Sequence, residues 1–241
     1  YKLIKTMSDE DLKPDITEYA TIARENEKLE TLVGFLDVQN PNLAIVFGRT
    51  KRRVDELASA LIAKGYLAEG LHGDITQSKR LEILRKFKNN SLQILVATDV
   101  AARGIDISDV THVYNFDIPQ DVESYTHRIG RTGRAGKSGV AITFLNPVEM
   151  PYLKDIENSR GERMKMLRPY SQEEVKKSRN NRLFEEVISE LDNNHVEFNS
   201  LANKLMAEAN AEKIITVLLS KLINDKKDVD VELSFEKPLP R

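Results

Sequence analysis

Short apolar runs alternate with longer amphipathic stretches through the middle of this chain, and that alternation restricts its fold more than any other feature. The runs are Leu43–Phe47, Ala68–His72, Gln93–Ala97, His112–Phe116 and Val140–Leu145, each bounded by turn residues. Three of them are nearly continuous Val, Ile, Leu and Phe, the pattern of strands buried on both faces. Between the runs, Val54, Leu57, Ala58, Leu61 and Ile62 share one helical stripe, and Leu81, Leu84 and Phe87 share another. Strands alternating with helices predict an α/β fold of βαβ units, with helices on both faces of a mostly parallel sheet. Functional loops are then expected at the carboxyl ends of the strands. Ile16, Tyr19 and Ile22 predict an edge strand ahead of a helix over 26–37, and Pro147 opens a helix over 147–158.

Beyond that region the pattern changes. Gly161, Pro169 and a charge-rich stretch mark a boundary, so residues 1–168 are expected to form the α/β domain. Ser171 and Glu174 have capping-box spacing, and Leu183, Phe184, Val187, Ile188 and Leu191 form the stripe of the helix that follows. Helices over 200–208 and 211–223 complete a small helical module, 169–224. So short a unit encloses little core, yet Ile214, Ile215, Val217, Leu218, Leu219, Leu222 and Ile223 crowd its last helix. These side chains either face a partner, which predicts a homodimer through residues 171–223, or pack on the preceding domain. The polar, proline-ended residues 225–241 read as a flexible tail.

Composition excludes several classes. The chain has no Cys, which removes disulfides and thiolate metal sites, and its four His are scattered without metal-ligand spacing. No apolar run approaches the roughly 18–20 residues of a membrane span, so no membrane association is expected. The first residues lack the apolar core of a signal peptide, and a cytoplasmic location is expected. The absence of an initiator Met suggests a piece of something longer. The net charge of −2 is unevenly spread: residues 1–42 carry 5 basic and 9 acidic side chains, 43–170 carry 20 and 15, and 171–241 carry 11 and 14. The basic block holds the glycine-bearing motifs, and local field matters more than the total.

Within that block, His127-Arg128-Ile129-Gly130-Arg131-Thr132-Gly133-Arg134 carries three arginines spaced three apart. On a helix they would share one face. Guanidiniums so placed repel each other unless an anion joins them, either a local carboxylate or a phosphate. The glycines let backbone come close to a bulky ligand. Other strand ends carry candidate sites. Phe47-Gly48-Arg49-Thr50 leads into a helix whose free N–H groups could meet a phosphate, although Thr50 is equally suited to capping that helix. His72-Gly73-Asp74 is followed by Gln77 and Arg80, which helical spacing places on one face; His72 itself reads as a structural histidine. In Ala97-Thr98-Asp99-Val100-Ala101-Ala102-Arg103-Gly104-Ile105-Asp106, Thr98 offers a hydroxyl to phosphate and Gly104 relieves crowding. Asp106 suits a ribose hydroxyl, and Arg103 can pair with Asp99 or Asp106.

The sequence HRIGRTGR resembles the last signature motif of the DEAD-box RNA helicases; DEAH-type relatives usually begin it with Gln. The order of the motifs over about residues 16–168 is similar to that of the second RecA-like domain of this family. The helical region is more weakly similar to the dimerisation region of bacterial cold-shock members. The resemblance implies that Arg131 and Arg134 reach the terminal phosphate of ATP as arginine fingers, and that Asp106, beside Gly104, contacts the nucleotide sugar. It implies RNA-backbone contacts from Arg49, Thr50, Gly73, Gln77, Arg80 and Thr98. The phosphate loop G-x-x-x-x-G-K-[ST] and the Asp-Glu-Ala-Asp tetrad do not occur. ATP and Mg2+ are therefore expected to be bound mainly by a separate N-terminal RecA-like domain, and this part alone should not hydrolyse ATP. A non-catalytic RNA-binding and self-association module is the alternative, and a DNA-directed helicase a third reading.

Overall fold

The structure, a computed structural model, describes residues 15–103, 110–134, 136–191, 193, 196–224 and 231–239. Seven strands form one sheet: β1 (Ile16–Ile22), β2 (Ala44–Phe47), β3 (Ala68–Leu71), β4 (Ile94–Ala97), β5 (His112–Asn115), β6 (Gly139–Leu145) and β7 (Lys165–Met166). Their order across the sheet is β3-β4-β2-β5-β6-β1-β7, and every ladder is parallel.

The continuous apolar strands divide their residues between two cores with the period of two that a pleated strand imposes. From β2, Ile45 and Phe47 enter one core while Ala44 and Val46 enter the other; β4 splits Leu95 and Ala97 from Ile94 and Val96 in the same way. Helices α1 (Lys28–Gln39) and α2 (Lys51–Ala63) close one core with Leu32, Phe35, Leu36, Val54, Leu57 and Leu61. The other is closed by α3 (Gln77–Lys88), α5 (Val122–Ile129) and α6 (Met150–Arg160), which contribute Ile83, Phe87, Tyr125, Ile129, Leu153 and Ile156; the short α4 (Asp99–Ala102) lies beside them. A strand covered on both faces has no reason to alternate polar residues, which is why the parallel sheet was readable.

The expected edge strand at Ile16–Ile22 is a correction. β1 pairs with β6 along all seven of its residues and is covered on its other side by β7, through Tyr19↔Lys165 and Ala20↔Met166. The chain returning from α6 lays two exposed residues against an otherwise open edge, and the Leu167 N–H extends the match to the Ala20 carbonyl at 2.8 Å. The helix expected from Pro147 begins instead as a 3-10 turn, Pro147–Glu149, with a capping box between Asn146 and Glu149, and becomes α-helical at Met150.

Three helices follow: α7 (Gln172–Glu190), α8 (Asn199–Glu208) and α9 (Ala211–Asn224). Ser171 caps α7 by accepting from the Glu174 N–H at 3.3 Å, and Glu174 accepts from the Ser171 N–H at 2.8 Å. Hydrogen bonds from Arg168, then from Ser171, lower the Glu174 carboxyl to about 2. α7 is tied to α1 through the buried Asp37, which accepts from Arg179 Nε at 2.8 Å and Nη2 at 2.5 Å, with Arg182 Nη2 at 3.5 Å. Tyr170 meets Phe35 edge-on beneath that contact, at 5.3 Å between ring centres. α8 and the described side chains of α9 bury no residue; Leu201, Met206, Ile215, Leu218 and Leu222 are all exposed. Among the described residues no helix is long and apolar enough to cross a membrane.

Asp37→Ala should remove the anchor of α7. Screening at the partly exposed guanidiniums keeps the expected loss to about 1–3 kcal/mol. Trypsin should then cut first within 172–190, while hydrogen exchange in β2 and β4 stays slow; unchanged cleavage would disprove the anchoring role.

Candidate functional site

Because the sheet is parallel, the loops after β2, β3, β4 and β5 open along one edge, and the predicted site residues collect there. Thr50, after β2, is the N-cap of α2, accepting from the Arg53 N–H at 3.1 Å. The Arg49 N–H donates to Asp117 Oδ2 at 2.9 Å, which joins this loop to the one after β5. Asp117 is also 3.7 Å from Lys28 Nζ and 3.6 Å from Arg53 Nε. Lys28 and Arg53 are both 1% exposed; Glu25 pairs with each, and both cations face the ring of Phe116 at 5.8 and 5.6 Å. Two cations this deep persist because carboxylates and an aromatic face replace water around them. The sequence alone assigned Asp117 no role. Its one signal was an acid placed directly after the apolar run His112–Phe116.

The side chains of Arg49 and Thr50 are engaged by the end of the chain. Arg49 Nη1 donates to the Lys237 carbonyl at 2.8 Å and Nη2 to Glu149 Oε1 at 3.3 Å, while Thr50 Oγ1 donates to Glu236 Oε1 at 2.5 Å. The described part of the tail, 231–239, thus differs from the loose segment expected, because apolar residues at both of its ends reach the two cores: Val231 and Leu233 one, Leu239 the other.

After β3, the buried His72 donates from Nε2 to Asp55 Oδ1 at 2.8 Å while Nδ1 accepts from the Asp74 N–H at 3.3 Å, so both ring nitrogens are satisfied structurally. Gly73 is exposed beside Lys51, and Gln77 is exposed at the first position of α3. Arg80 reaches across to the loop after β4, donating from Nη2 to the Ala101 carbonyl at 2.8 Å and the Arg103 carbonyl at 3.5 Å. Thr98 stands at the N-cap of α4, but its hydroxyl makes no cap hydrogen bond. Gly104 and Asp106 lie outside the described residues.

The arginine motif corrects the single helical face that its spacing suggests. α5 ends at Ile129 with Gly130 as its cap, and Gly133 adopts φ 66° in the turn beyond, so only Arg128 is helical. Arg128, 2% exposed, turns inward: Nε and Nη2 hold the two oxygens of Asp99 at 2.5 and 2.8 Å, and Nη1 donates to the Asp117 carbonyl at 2.6 Å. Its guanidinium also stacks over Phe47 at 5.0 Å. Asp99 is therefore the partner of Arg128 rather than of Arg103. Arg131 and Arg134 fold back on the end of α5, donating from Nε to the His127 carbonyl at 3.2 Å and the Gly130 carbonyl at 2.7 Å. The turn is pinned by Thr132 Oγ1 on the Val110 carbonyl at 2.6 Å, and any Cβ on Gly139 would overlap that threonine. Arg131 lines a small cavity with Phe47, Asp99, Ala102, Arg103, His127 and Arg128. Partial burial and then the charge of Arg134 pull the Arg131 guanidinium below its ordinary value, the condition under which an added anion is favoured.

Arg128→Lys keeps the charge but loses the planar fork that spans Asp99 and the Asp117 carbonyl. Thermal or urea unfolding should show a loss of about 2–4 kcal/mol; a change within error would mean the buried fork is replaceable by a point charge.

Comparison with known proteins places this geometry. Residues 27–136 match the family model described as the helicase conserved C-terminal domain. The DEAD-box ATP-dependent RNA helicase CshA of Geobacillus kaustophilus (strain HTA426) is 48% identical over 239 residues, covering 99% of this chain and 51% of that protein. The chain thus spans about half the length of this curated relative. Among solved structures, the E. coli DEAD-box protein SrmB, bound to the regulator of ribonuclease activity A, has a TM-score of 0.62 at 38% identity, covering 68% of this chain and 95% of that one. S. cerevisiae Dbp5 bound to RNA and ADP BeF3 has a TM-score of 0.62 at 30% identity, covering 72% of this chain and 48% of that one. With its strand-end motifs on one edge of a parallel sheet and its fold and sequence shared with nearly all of the solved SrmB chain, this chain belongs to the DEAD-box RNA helicases, as their C-terminal RecA-like domain.

Proposed function

We propose that this chain is the C-terminal motor lobe of an ATP-dependent RNA helicase and that it completes an ATP site whose other wall is an N-terminal RecA-like domain. The observation that carries this reading is the turn at 130–134, which holds Arg131 and Arg134 together at the sheet edge, with Arg131 on a cavity walled by Phe47 at the end of β2, by α4 and by α5. Two guanidiniums fixed on backbone carbonyls, one of them lowered by burial and by its neighbour, fit the anionic oxygens of a triphosphate. When the lobes close, they would stabilise charge that spreads over the phosphoryl oxygens during transfer. ATP supplies the phosphoryl group, and Mg2+ is assigned with it to the other lobe. Gly104 and Asp106 are assigned to the nucleotide sugar on the family resemblance alone.

Arg49, Thr50, Gly73, Gln77, Arg80 and Thr98 form the RNA side of the proposal. They follow β2, β3 and β4, neighbours in the sheet, so they can follow one strand of backbone along the edge. Contacts of this kind select little sequence, and 2′-hydroxyl contacts would favour RNA over DNA. Closure onto a bent strand would separate a duplex locally, and release after hydrolysis would reset the open state. Dbp5, which shares this fold, was solved with RNA and ADP BeF3 bound.

The helices after residue 171 are proposed to join two copies of the chain. Phe184, Leu191, Leu201, Met206, Leu218 and Leu222 are exposed on one short segment, more apolar surface than a monomer usually leaves in water.

In the protein joined to its N-terminal lobe, Arg131→Ala should lower RNA-stimulated ATP hydrolysis by about 10³-fold or more. The 241-residue chain alone should release no phosphate from ATP. An unchanged rate in the variant, or turnover by the clean chain, would reject the assignment. Sedimentation should give a dimer for the chain and a monomer for a version ending at Leu167; two monomers would reject the helical interface.

A further inference from the structure

Residues 231–239 cross the carboxyl edge of the sheet as an extended segment, and their contacts repeat chemically what an RNA backbone would make there. Val231 and Leu233 rest on the core closed by α1 and α2. Ser234 comes next, donating its N–H to Glu56 Oε2 at 3.1 Å and its hydroxyl to the same carboxylate. Burial alone would raise the Glu56 carboxyl; the bonds from Ser234, together with the charges of Arg52 and Arg53, hold the group below its ordinary value. Glu236 then accepts from Thr50 Oγ1 at 2.5 Å and lies 4.0 Å from the buried Arg53 Nε. The Lys237 carbonyl accepts from Arg49 Nη1 at 2.8 Å. Past the edge, the Leu239 N–H donates to Glu149 Oε1 at 3.3 Å, and its side chain packs on the opposite core beside Pro147, Met150 and Pro151. The intervening Glu232, Phe235 and Lys237 side chains face solvent. Alternation of this kind, with polar anchors between apolar ends, marks a segment seated in a track rather than one lying on a surface by chance.

We propose that the edge beside β2 is a binding track for an acidic extended segment, that residues 231–239 of this chain are its occupant, and that this segment and an RNA backbone exclude each other at Arg49 and Thr50. A carboxylate and a phosphate draw on the same donors, and neither Thr50 Oγ1 nor the Arg49 fork can serve both at once. Belonging to the same chain, the segment competes at an effective concentration on the order of millimolar. It therefore sets a threshold that RNA must exceed before this part of the edge is open. The inference rests on the reading of Arg49 and Thr50 as RNA contacts.

The test is fluorescence anisotropy of a labelled single-stranded RNA with the complete chain and four variants. Glu236→Gln removes the competing charge, and Leu239→Ser loosens the far anchor with no change of charge. Glu232→Gln removes an equal charge from a solvent-facing position on the same segment. Both of the first two should tighten RNA binding, by about three- to tenfold, and Glu232→Gln should leave it nearly unchanged. Adding a synthetic peptide of sequence 231–239 should reverse the gain in Leu239→Ser. Equal tightening by Glu232→Gln and Glu236→Gln, or no tightening by Leu239→Ser, overturns the track while leaving the RNA face intact. The fourth variant, Arg49→Ala, separates the two ideas: if it binds RNA as well as the unaltered chain, the RNA reading of this loop fails, and the competition fails with it. Binding too weak to detect in every variant, Leu239→Ser included, also counts against the proposal.

Discussion

The buried guanidinium of Arg128 is the interaction on which the arrangement of the edge depends. It spans Asp99 after β4, the carbonyl of Asp117 after β5 and the ring of Phe47 at the end of β2. Three segments that share no sequence proximity are thereby held by one planar group with five donors. A second buried cluster adjoins it: Asp117 takes the Arg49 N–H, while Lys28, Arg53 and Glu25 balance charge around Phe116. Such networks are costly when a member is missing, and their value lies in fixing one geometry rather than in net stability.

That rigid base fixes where the two arginines proposed to meet the phosphates lie. Arg131 and Arg134 belong to a turn whose threonine is pinned at Val110 and whose glycine takes a left-handed conformation, so their Cα positions are set before any ligand arrives. Holding like charges together in advance places the cost of their repulsion on folding rather than on binding. The same economy of donors recurs at Arg49 and Thr50, where a carboxylate and a carbonyl from the end of the chain lie in the seats proposed for RNA oxygens.

Much of the fold was legible because it rests on periodicity. The runs 43–47 and 93–97 lack polar alternation, and both became central strands of the parallel sheet. Ser171 with Glu174 marked the start of α7 to the residue, since a capping box is a local hydrogen-bond pattern. What failed was whatever depended on distant partners. β1 looked like an edge strand, and nothing in Lys165-Met166 announced that it would cover that edge. The three arginines looked equivalent by spacing, but Gly130 and Gly133 break the helix between them.

By itself, the sequence determined the layer architecture, the caps at Thr50 and Ser171, the absence of thiol chemistry and the family to which its motifs are similar. All of these follow from residue type and short-range spacing. The tertiary structure alone decided that Arg128 faces inward while Arg131 lines a cavity, that Asp117 gathers three cationic or amide donors, and that residues 231–239 lie across Arg49 and Thr50. The physical reason is that a charged side chain's role is set by which opposite charge or carbonyl it meets when buried. Those partners lie up to 188 positions away along the chain, where no local pattern records them.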